Sequence, residues 1–144
     1  MRLLLVFCGS PGSGKTTLSR KIAEEQTAIR FSFDEMRCFQ HKELLPHVIK
    51  ALRSGKNVVV DALFTREVWR KTILETTSDI ECRKILIYMD TPLEECIRRN
   101  AQRPYPLPSE FIENIYKSIE PPTISEGWDE IREVKTYETD FTSN

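Results

Sequence analysis

Residues 3–18 read LLLVFCGSPGSGKTTL, and this stretch decides the fold. The apolar run 3–8 is typical of a buried parallel strand, and residues 9–16 match the phosphate-binding loop pattern Gly-x-x-x-x-Gly-Lys-[Ser/Thr]. A strand before the loop and a helix that opens at Lys15 are the context that this motif requires. A Gly/Ser-rich surface turn is the alternative, but it requires neither neighbour. The stretch therefore predicts a nucleoside triphosphate site.

Each part of the loop has an expected chemical role. Its glycines let the backbone wrap a phosphate, so that successive N–H groups and a helix N-terminus point at the anion. Lys15 is expected to bridge the β- and γ-phosphates of ATP, and the Thr16 hydroxyl is expected to hold Mg²⁺. The residues predicted to bind the nucleotide here are Gly9, Ser10, Pro11, Gly12, Ser13, Gly14, Lys15, Thr16 and Thr17.

Length and composition set limits on the class of protein. The chain has 144 residues and a net charge of −1, which predicts one domain over residues 1–144. No apolar run approaches the ~20 residues of a membrane span. Four scattered cysteines without a Cys-x-x-Cys pair favour reduced thiols, and hence a cytoplasmic protein. The balanced charge argues against a basic surface that would bind nucleic acid over the whole protein. A local basic cleft is still compatible with this net charge.

Strand-like and helix-like segments alternate along the chain, as in an α/β fold with a parallel sheet. Strands are predicted over residues 2–8, 28–33, 57–61, 83–89 and 131–137. Helices are predicted over residues 15–26, 42–54, 66–77, 92–101 and 110–118, and residues 139–144 are expected to fray.

Turn and capping residues support these boundaries. Gly55 is a good C-terminal cap for the second helix. Thr91 is predicted as an N-cap that forms a capping box with Glu94, with Pro92 as the first helical residue. Ser109 is predicted to cap the last helix.

The loop motif is shared by GTPases, motor ATPases and small kinases, so other segments must separate these classes. The chain has no Asn-Lys-x-Asp motif for reading guanine, and its length leaves no room for the coupling elements of a motor ATPase. These two features favour a small kinase.

Three arginines, Arg98, Arg99 and Arg103, follow the fourth predicted strand. A small kinase has a mobile lid there, and lid arginines neutralise charge on the transferring phosphoryl group and exclude water. The alternative is a solvated helix face on which Arg98 and Arg99 pair with Glu94 and Glu95.

Acidic residues stand at or directly after the ends of three predicted strands, and the carboxyl ends of such strands converge on the ligand crevice of a doubly wound sheet. Asp34 is predicted to face the γ-phosphate from the acceptor side as the general base, although a helix N-cap role also suits it. Glu35 is the second candidate base, and Arg37 is expected to grip an acceptor phosphate. Asp61 is favoured over Asp90 as the group that reaches Mg²⁺ through water or orients the acceptor.

Together these residues resemble the polynucleotide 5′-hydroxyl kinases of the bacteriophage and bacterial end-healing type, over most of the chain. The matching motifs are the loop at residues 9–16, an Asp-x-x-Arg element at Asp34 and Arg37, and an Arg-x-x-x-Arg pair at Arg99 and Arg103. The resemblance implies a P-loop kinase fold of three layers, with a central parallel sheet and an arginine-bearing helical lid at about residues 92–108.

The resemblance also implies roles for single residues. Asp34 would be the general base, Arg37 would position the acceptor's phosphate, and Arg99 and Arg103 would join the loop on the ATP phosphates. The implied catalytic residues are Lys15, Asp34, Arg37 and Arg103, and the implied substrate-binding residues are Asp34, Arg37 and Asp61.

The expected function is transfer of the γ-phosphoryl group from ATP, with Mg²⁺, to the 5′-hydroxyl end of DNA or RNA. One alternative is a kinase for a small-molecule, nucleoside or modified-base hydroxyl, which would use the same loop and lid. The other is a protein that senses ATP without catalysis. A sensor, however, needs no base on the acceptor side.

Overall fold

The computed structural model describes residues 1–36 and 40–135, and the side chains of Asp34 and Glu35 lie outside the description. Within these ranges the strands are β1 (Leu3–Cys8), β2 (Ala28–Ser32), β3 (Asn57–Asp61), β4 (Arg83–Asp90) and β5 (Glu130–Lys135). The helices are α1 (Lys15–Glu25), α2 (Phe33–Met36), α3 (His41–Arg53), α4 (Glu67–Thr76), α5 (Leu93–Ala101) and α6 (Ser109–Ser118), followed by a 3₁₀ turn at Ile124–Glu126.

The strands form one parallel sheet in the order β2-β3-β1-β4-β5. Strand β1 lies at its centre, where Leu5 is in register with Val59 of β3 and with Ile85 of β4. The predicted α/β fold with a central parallel sheet is therefore confirmed. Because the chain adds β3 on one side of β1 and β4 on the other, the carboxyl end of β1 is the point at which ligands bind in such sheets.

Helices cover both faces of the sheet. Leu4 and Val6 of β1 are fully buried in a cluster with Val48 of α3 and Ile73 of α4. Phe7, which points the other way, packs in a second cluster with residues of α1. A strand buried on both faces must be apolar throughout, which explains the unbroken run that precedes the loop.

Most predicted boundaries agree with the structure to within one or two residues. Gly55 ends α3 with φ of +84°, as its predicted role as a cap requires. Strand β2 ends at Ser32, so Asp34 lies in the short helix α2 and not at a strand end as predicted.

The predicted caps of the two lid-side helices are wrong. Pro92 is the N-cap of α5, and no side chain caps that helix. The Thr91 hydroxyl instead donates a hydrogen bond to the backbone carbonyl of Ser13, at 2.9 Å, which takes it away from a capping box. Pro108 is the N-cap of α6, so Ser109 is its first helical residue.

Some predictions fall outside the described ranges. These include Arg37, the last residues of the strand predicted to reach residue 137, and the fraying of residues 139–144. Within the described ranges, each helix lacks the length or the apolar character that a bilayer crossing requires.

Candidate functional site

The loop between β1 and α1 is shaped by its glycines. Gly12 and Gly14 have φ of +82° and +98°, a region that residues with a Cβ avoid. At Gly9 a Cβ would lie 2.8 Å from Ser13 Oγ and 2.9 Å from Met89 Cβ, so that position has no room for a side chain either. The backbone therefore forms a tight cradle.

Replacing Gly12 with alanine is expected to weaken ATP binding about ten- to a hundredfold. The new Cβ would lie 2.4 Å from the Cys96 carbonyl oxygen, at a φ that alanine disfavours. Such strain costs about 1–3 kcal/mol, and each 1.4 kcal/mol is roughly a factor of ten in affinity. Isothermal titration calorimetry with ATP measures the change.

Gly55→Ala is the matched control for this substitution. Gly55 has φ of +84°, and nothing lies within 4 Å of the Cβ it would gain. This variant should lose stability through backbone strain alone and keep its ATP affinity. Equal ATP affinities for Gly12→Ala and the unaltered chain would show that the cradle is not the nucleotide site.

Lys15 is buried at the start of α1, and its Nζ donates a hydrogen bond to the Ser10 carbonyl at 3.0 Å. Burial lowers the pKa of this ammonium, the Asp61 carboxylate acts in the opposite direction, and the Arg103 guanidinium lowers the pKa further. Burial thus disfavours the charged form of Lys15, and a bound anion beside it would offset that cost.

A buried hydroxyl in the cradle has no partner. Ser13 is 1% exposed, and its Oγ makes no hydrogen bond with any residue that the structure describes. An unsatisfied buried polar group costs about 1–3 kcal/mol. A phosphate oxygen in the cradle would accept this bond, so the loop fits the polyphosphate of ATP.

Thr16 and Thr17 lie exposed in the first turn of α1. Among the described residues there is no group of three or more His, Cys, Asp or Glu side chains that could hold a metal ion. Thr16 stays the predicted protein ligand of Mg²⁺.

Helix α5 packs directly against the loop. Besides the bond from Thr91 to Ser13, the Ser10 hydroxyl donates to Cys96 Sγ at 3.2 Å, and Cys96 is the residue that crowds Gly12. Sequence reasoning missed these contacts and took Thr91 for a cap. They fix the start of α5 relative to the phosphate cradle.

The segment after α5 is held by Asn100. Its side-chain amide donates to the Leu107 carbonyl at 2.7 Å and accepts from the Leu107 N–H at 3.0 Å. Between these two residues the chain presents Arg103, whose side chain is exposed and whose charge acts on Lys15. The role of Arg103 on the ATP phosphates stays a prediction.

Arg98 and Arg99 both pair with Glu95. The Arg99 Nε donates to the Glu95 carboxylate at 2.9 Å, and the pairs hold the Glu95 pKa at about 2, with Arg98 the larger cause. This corresponds to the predicted alternative of a paired helix face, with Glu95 serving both arginines. The role of Arg99 on ATP stays a prediction.

Asp61 faces α1 and has partners of its own. Its carboxylate lies 2.5 Å from the guanidinium of Arg30 and accepts a hydrogen bond from the Ser19 hydroxyl at 3.0 Å. Asp61 is 7% exposed. The Asp61 charge is therefore already paired, and no pattern in the sequence indicates Arg30 as its partner.

Asp34 and Arg37 are the residues predicted to act on the acceptor, as the general base and as the clamp for its phosphate. The backbone of Asp34 lies in α2, directly after β2, at the carboxyl edge of the sheet. The Asp34 side chain and the whole of Arg37 lie outside the described residues. Their pairing as base and acceptor clamp stays a prediction.

The β3–α4 connection has an anchor that the sequence did not reveal. Phe64 adopts φ of 33°, its N–H donates to His41 Nε2 at 3.2 Å, and its carbonyl accepts from Arg70 at 2.9 Å. Burial lowers the pKa of His41 to about 4, so its ring is neutral and can accept this bond.

The sequence is similar to a known family and to a curated protein over most of its length. The profile of the AAA_33 family, described as an AAA domain, matches residues 4–122. An L-seryl-tRNA(Sec) kinase of Methanococcus maripaludis is 26% identical in an alignment that covers 88% of this chain and 56% of that kinase. The chain therefore spans little more than half the length of this relative.

Two solved structures show the same architecture. Kti12 of Chaetomium thermophilum, in complex with ADP-AlF3, matches with a TM-score of 0.75 at 16% identity, covering 95% of this chain and 91% of Kti12. A gluconokinase from Sinorhizobium meliloti 1021 matches with a TM-score of 0.65 at 18% identity, covering 94% of this chain and 84% of the gluconokinase. At these identities the likeness shows a shared fold, that of the P-loop kinases.

Proposed function

Since the chain belongs to the AAA_33 family of AAA domains, we propose that it is an ATP-dependent kinase that phosphorylates the hydroxyl of a small acceptor group. The group is either a free small molecule or a small group carried on a tRNA. The phosphate cradle carries this proposal, because the buried Lys15 ammonium and the Ser13 hydroxyl, which has no partner among the described residues, are what a polyphosphate would satisfy.

The names of similar proteins support this acceptor class. One relative is a seryl-tRNA kinase and one structural neighbour is a gluconokinase, so both are named for a hydroxyl-bearing group of few atoms. The Kti12 neighbour was solved with ADP-AlF3, which supports an adenine nucleotide as the donor.

Each of the predicted site residues has its own role in the proposed reaction. Lys15 and Arg103 stabilise the charge that develops on the transferring group, and Arg99 would leave Glu95 to assist them. Asp34 accepts the proton of the attacking hydroxyl, and Arg37 orients the acceptor. Thr16 holds Mg²⁺, which when bound neutralises phosphate charge.

A polynucleotide 5′-hydroxyl end is the competing acceptor. It was the expectation from the Asp-x-x-Arg and Arg-x-x-x-Arg motifs, but small kinases of several substrate classes share this fold. The smaller acceptor is therefore the better supported of the two.

A transfer assay with γ-labelled ATP and Mg²⁺ tests the proposal. The acceptors are gluconate, a nucleoside set, free serine, seryl-tRNA, and a 5′-hydroxyl oligonucleotide, and label is expected on a small acceptor or on the acylated tRNA. Label on the oligonucleotide alone would restore the 5′-end kinase, and ATP binding without any acceptor-dependent transfer would favour a sensor.

Asp34→Asn supplies the control for the mechanism. The loss of a general base is expected to lower the rate about 10²–10⁴-fold. The neighbouring Glu35→Gln variant should keep most of the activity. If Glu35→Gln lost activity and Asp34→Asn kept it, Glu35 would be the base. If both variants kept their activity, neither carboxylate would act as a general base.

A further inference from the structure

The β3–α4 connection, residues 62–66, leaves the sheet between the phosphate cradle and the helix that contains Asp34. The strand order is β2-β3-β1, so β3 separates the strand that precedes the cradle from the strand that precedes α2. Neighbouring strands lie about 4.8 Å apart, which puts the ends of β1 and β2 about 10 Å apart across β3. An acceptor hydroxyl between the γ-phosphate and Asp34 would therefore lie over this connection.

The connection is held at Phe64 through both backbone polar groups of that residue. The Phe64 N–H donates to His41 Nε2 at 3.2 Å, and the Phe64 carbonyl accepts from Arg70 Nη1 at 2.9 Å. Phe64 has φ of 33°, an angle that is uncommon for a residue with a Cβ. Such a backbone angle persists only where surrounding contacts enforce it. His41 and Arg70 supply those contacts, one on each side of the residue.

The His41 ring joins this connection to α2. The ring is stacked on Trp69 of α4, with 4.2 Å between the centroids. It makes edge contacts with Phe64 at 4.6 Å and with Phe33, the first residue of α2, at 4.8 Å. Met36, at the other end of α2, packs against the same core cluster as Phe64. One ring therefore contacts α2, the connection and α4.

The hydrogen bond and the ring contacts of His41 can be separated by substitution. Burial lowers the pKa of His41 to about 4, so at neutral pH the ring has its proton on Nδ1 while Nε2 accepts the Phe64 N–H. A phenylalanine at this position keeps a ring but has no acceptor. A glutamine keeps an acceptor at a similar reach but has no ring.

We propose that His41 is a positioning residue for phosphoryl transfer, which sets the place of α2 relative to the phosphate cradle through its bond to Phe64 and its contact with Phe33. This inference rests on the proposed kinase function, with Asp34 as the base. A displacement of about 1 Å far from the chemistry can cost about 10²-fold in rate. His41 should therefore affect the rate of transfer and leave the binding of ATP to the cradle unchanged.

Steady-state kinetics of His41→Phe test the hydrogen bond, with the acceptor that the transfer assay labels. The kcat should fall about ten- to a hundredfold, while the KM for ATP stays within about twofold. His47→Phe is the matched control, because it makes the same change at an exposed position of α3 and should leave kcat unchanged. Equal kcat values for the two variants would overturn the proposal. A rise in the KM for ATP as large as the fall in kcat would place the effect in the cradle and overturn it too.

His41→Gln tests the ring contact, because it keeps an acceptor for the Phe64 N–H. Its kcat should also fall about tenfold or more, since α2 loses its contact with the ring. Thermal melts show which variants are folded at the assay temperature. A folded His41→Gln variant with the kcat of the unaltered chain would overturn the link to α2, and this result decides even if His41→Phe does not fold.

A double-mutant cycle with Asp34→Asn distinguishes positioning of the base from a general loss of structure. If His41 acts by placing Asp34, then adding His41→Phe to Asp34→Asn should lower kcat by less than about twofold further. Two effects that multiply would mean that His41 acts independently of the base, and the proposal would be wrong.

Amide hydrogen exchange tests both links without any acceptor. Relative to His47→Phe, exchange should be about tenfold faster at Phe64 in His41→Phe and about tenfold faster at Met36 in His41→Gln. Unchanged exchange at Met36 in His41→Gln would overturn the proposal whatever the transfer assay shows. Both changes in exchange, together with no labelled acceptor, would support the coupling of His41 to α2 and overturn the proposed kinase function instead.

Discussion

Replacing Lys15 with methionine is expected to lower the rate of phosphoryl transfer about 10²–10³-fold, the usual effect of removing one preorganised donor. The Lys15 ammonium is buried and bonded to the Ser10 carbonyl, so it already lies within the cradle before any ligand binds. Methionine keeps an unbranched apolar stem of similar length but has no charge. Single-turnover transfer from labelled ATP measures the effect.

The fold should survive this substitution. Burial lowers the pKa of the Lys15 ammonium, which means that the folded chain disfavours its charge. A buried charge that is not in an ion pair costs free energy, so removing it with an apolar side chain is expected to be neutral or stabilising. The thermal midpoint of Lys15→Met is therefore expected to equal or exceed that of the unaltered chain.

Lys21→Met is the control on the same helix, because Lys21 is exposed. It makes the same chemical change outside the cradle and should leave transfer unaffected. A Lys15→Met rate within fivefold of the Lys21→Met rate would contradict the assignment of this lysine to the phosphates. A lower thermal midpoint for Lys15→Met would show that its bond to Ser10 matters for folding.

The phosphate cradle was predictable because its conformation is encoded locally. Gly12 and Gly14 occupy positions with positive φ, and the apolar strand and the helix on either side fix the direction of the loop. The sheet followed for a similar reason, since strands buried on both faces are apolar throughout. Short-range patterns were sufficient for these features.

Contacts between distant segments were not predictable. Arg30 and Asp61 are 31 residues apart, and Thr91 and Ser13 are 78 apart. Which residue a buried charge or hydroxyl meets depends on how elements pack, and the sequence pattern of either element does not state it. Asp61 was therefore expected to be open to the ligand, and Thr91 to cap its own helix.

The acceptor was less predictable than the donor. The loop that binds phosphates has a motif, but the groups that choose an acceptor are single side chains at the carboxyl ends of strands and in nearby helices. Asp90 was the second choice to Asp61 because both end a strand. The structure separates them, since Asp61 is paired with Arg30 and Asp90 lines a pocket.

Replacing Arg70 with methionine is expected to destabilise the fold by about 3–5 kcal/mol, because it leaves a buried carboxylate without its partner. The Arg70 side chain is fully buried, and its Nε and Nη2 donate to the two Glu126 oxygens, both at 2.9 Å. Trp128 adds a third bond to that carboxylate. Urea unfolding followed by tryptophan fluorescence measures the loss.

Arg66→Met separates burial from the mere presence of an ion pair. Arg66 pairs with Glu120 at 2.7 Å, but the two side chains are 49% and 44% exposed. An exposed pair contributes up to about 1 kcal/mol, so this variant should be far milder. Equal losses for the two variants would mean that burial of the Arg70 pair does not set its importance.

The double variant Arg70→Met with Glu126→Gln tests whether Arg70 also holds the β3–α4 connection. Removing both charges should recover part of the lost stability, because no uncompensated carboxylate stays buried. It would not restore the bond from Arg70 to the Phe64 carbonyl, which helps to hold the β3–α4 connection at its unusual backbone angle. The double variant should therefore fold better than Arg70→Met yet show faster amide exchange around Phe64. Full recovery of both stability and exchange protection would show that Arg70 serves Glu126 alone.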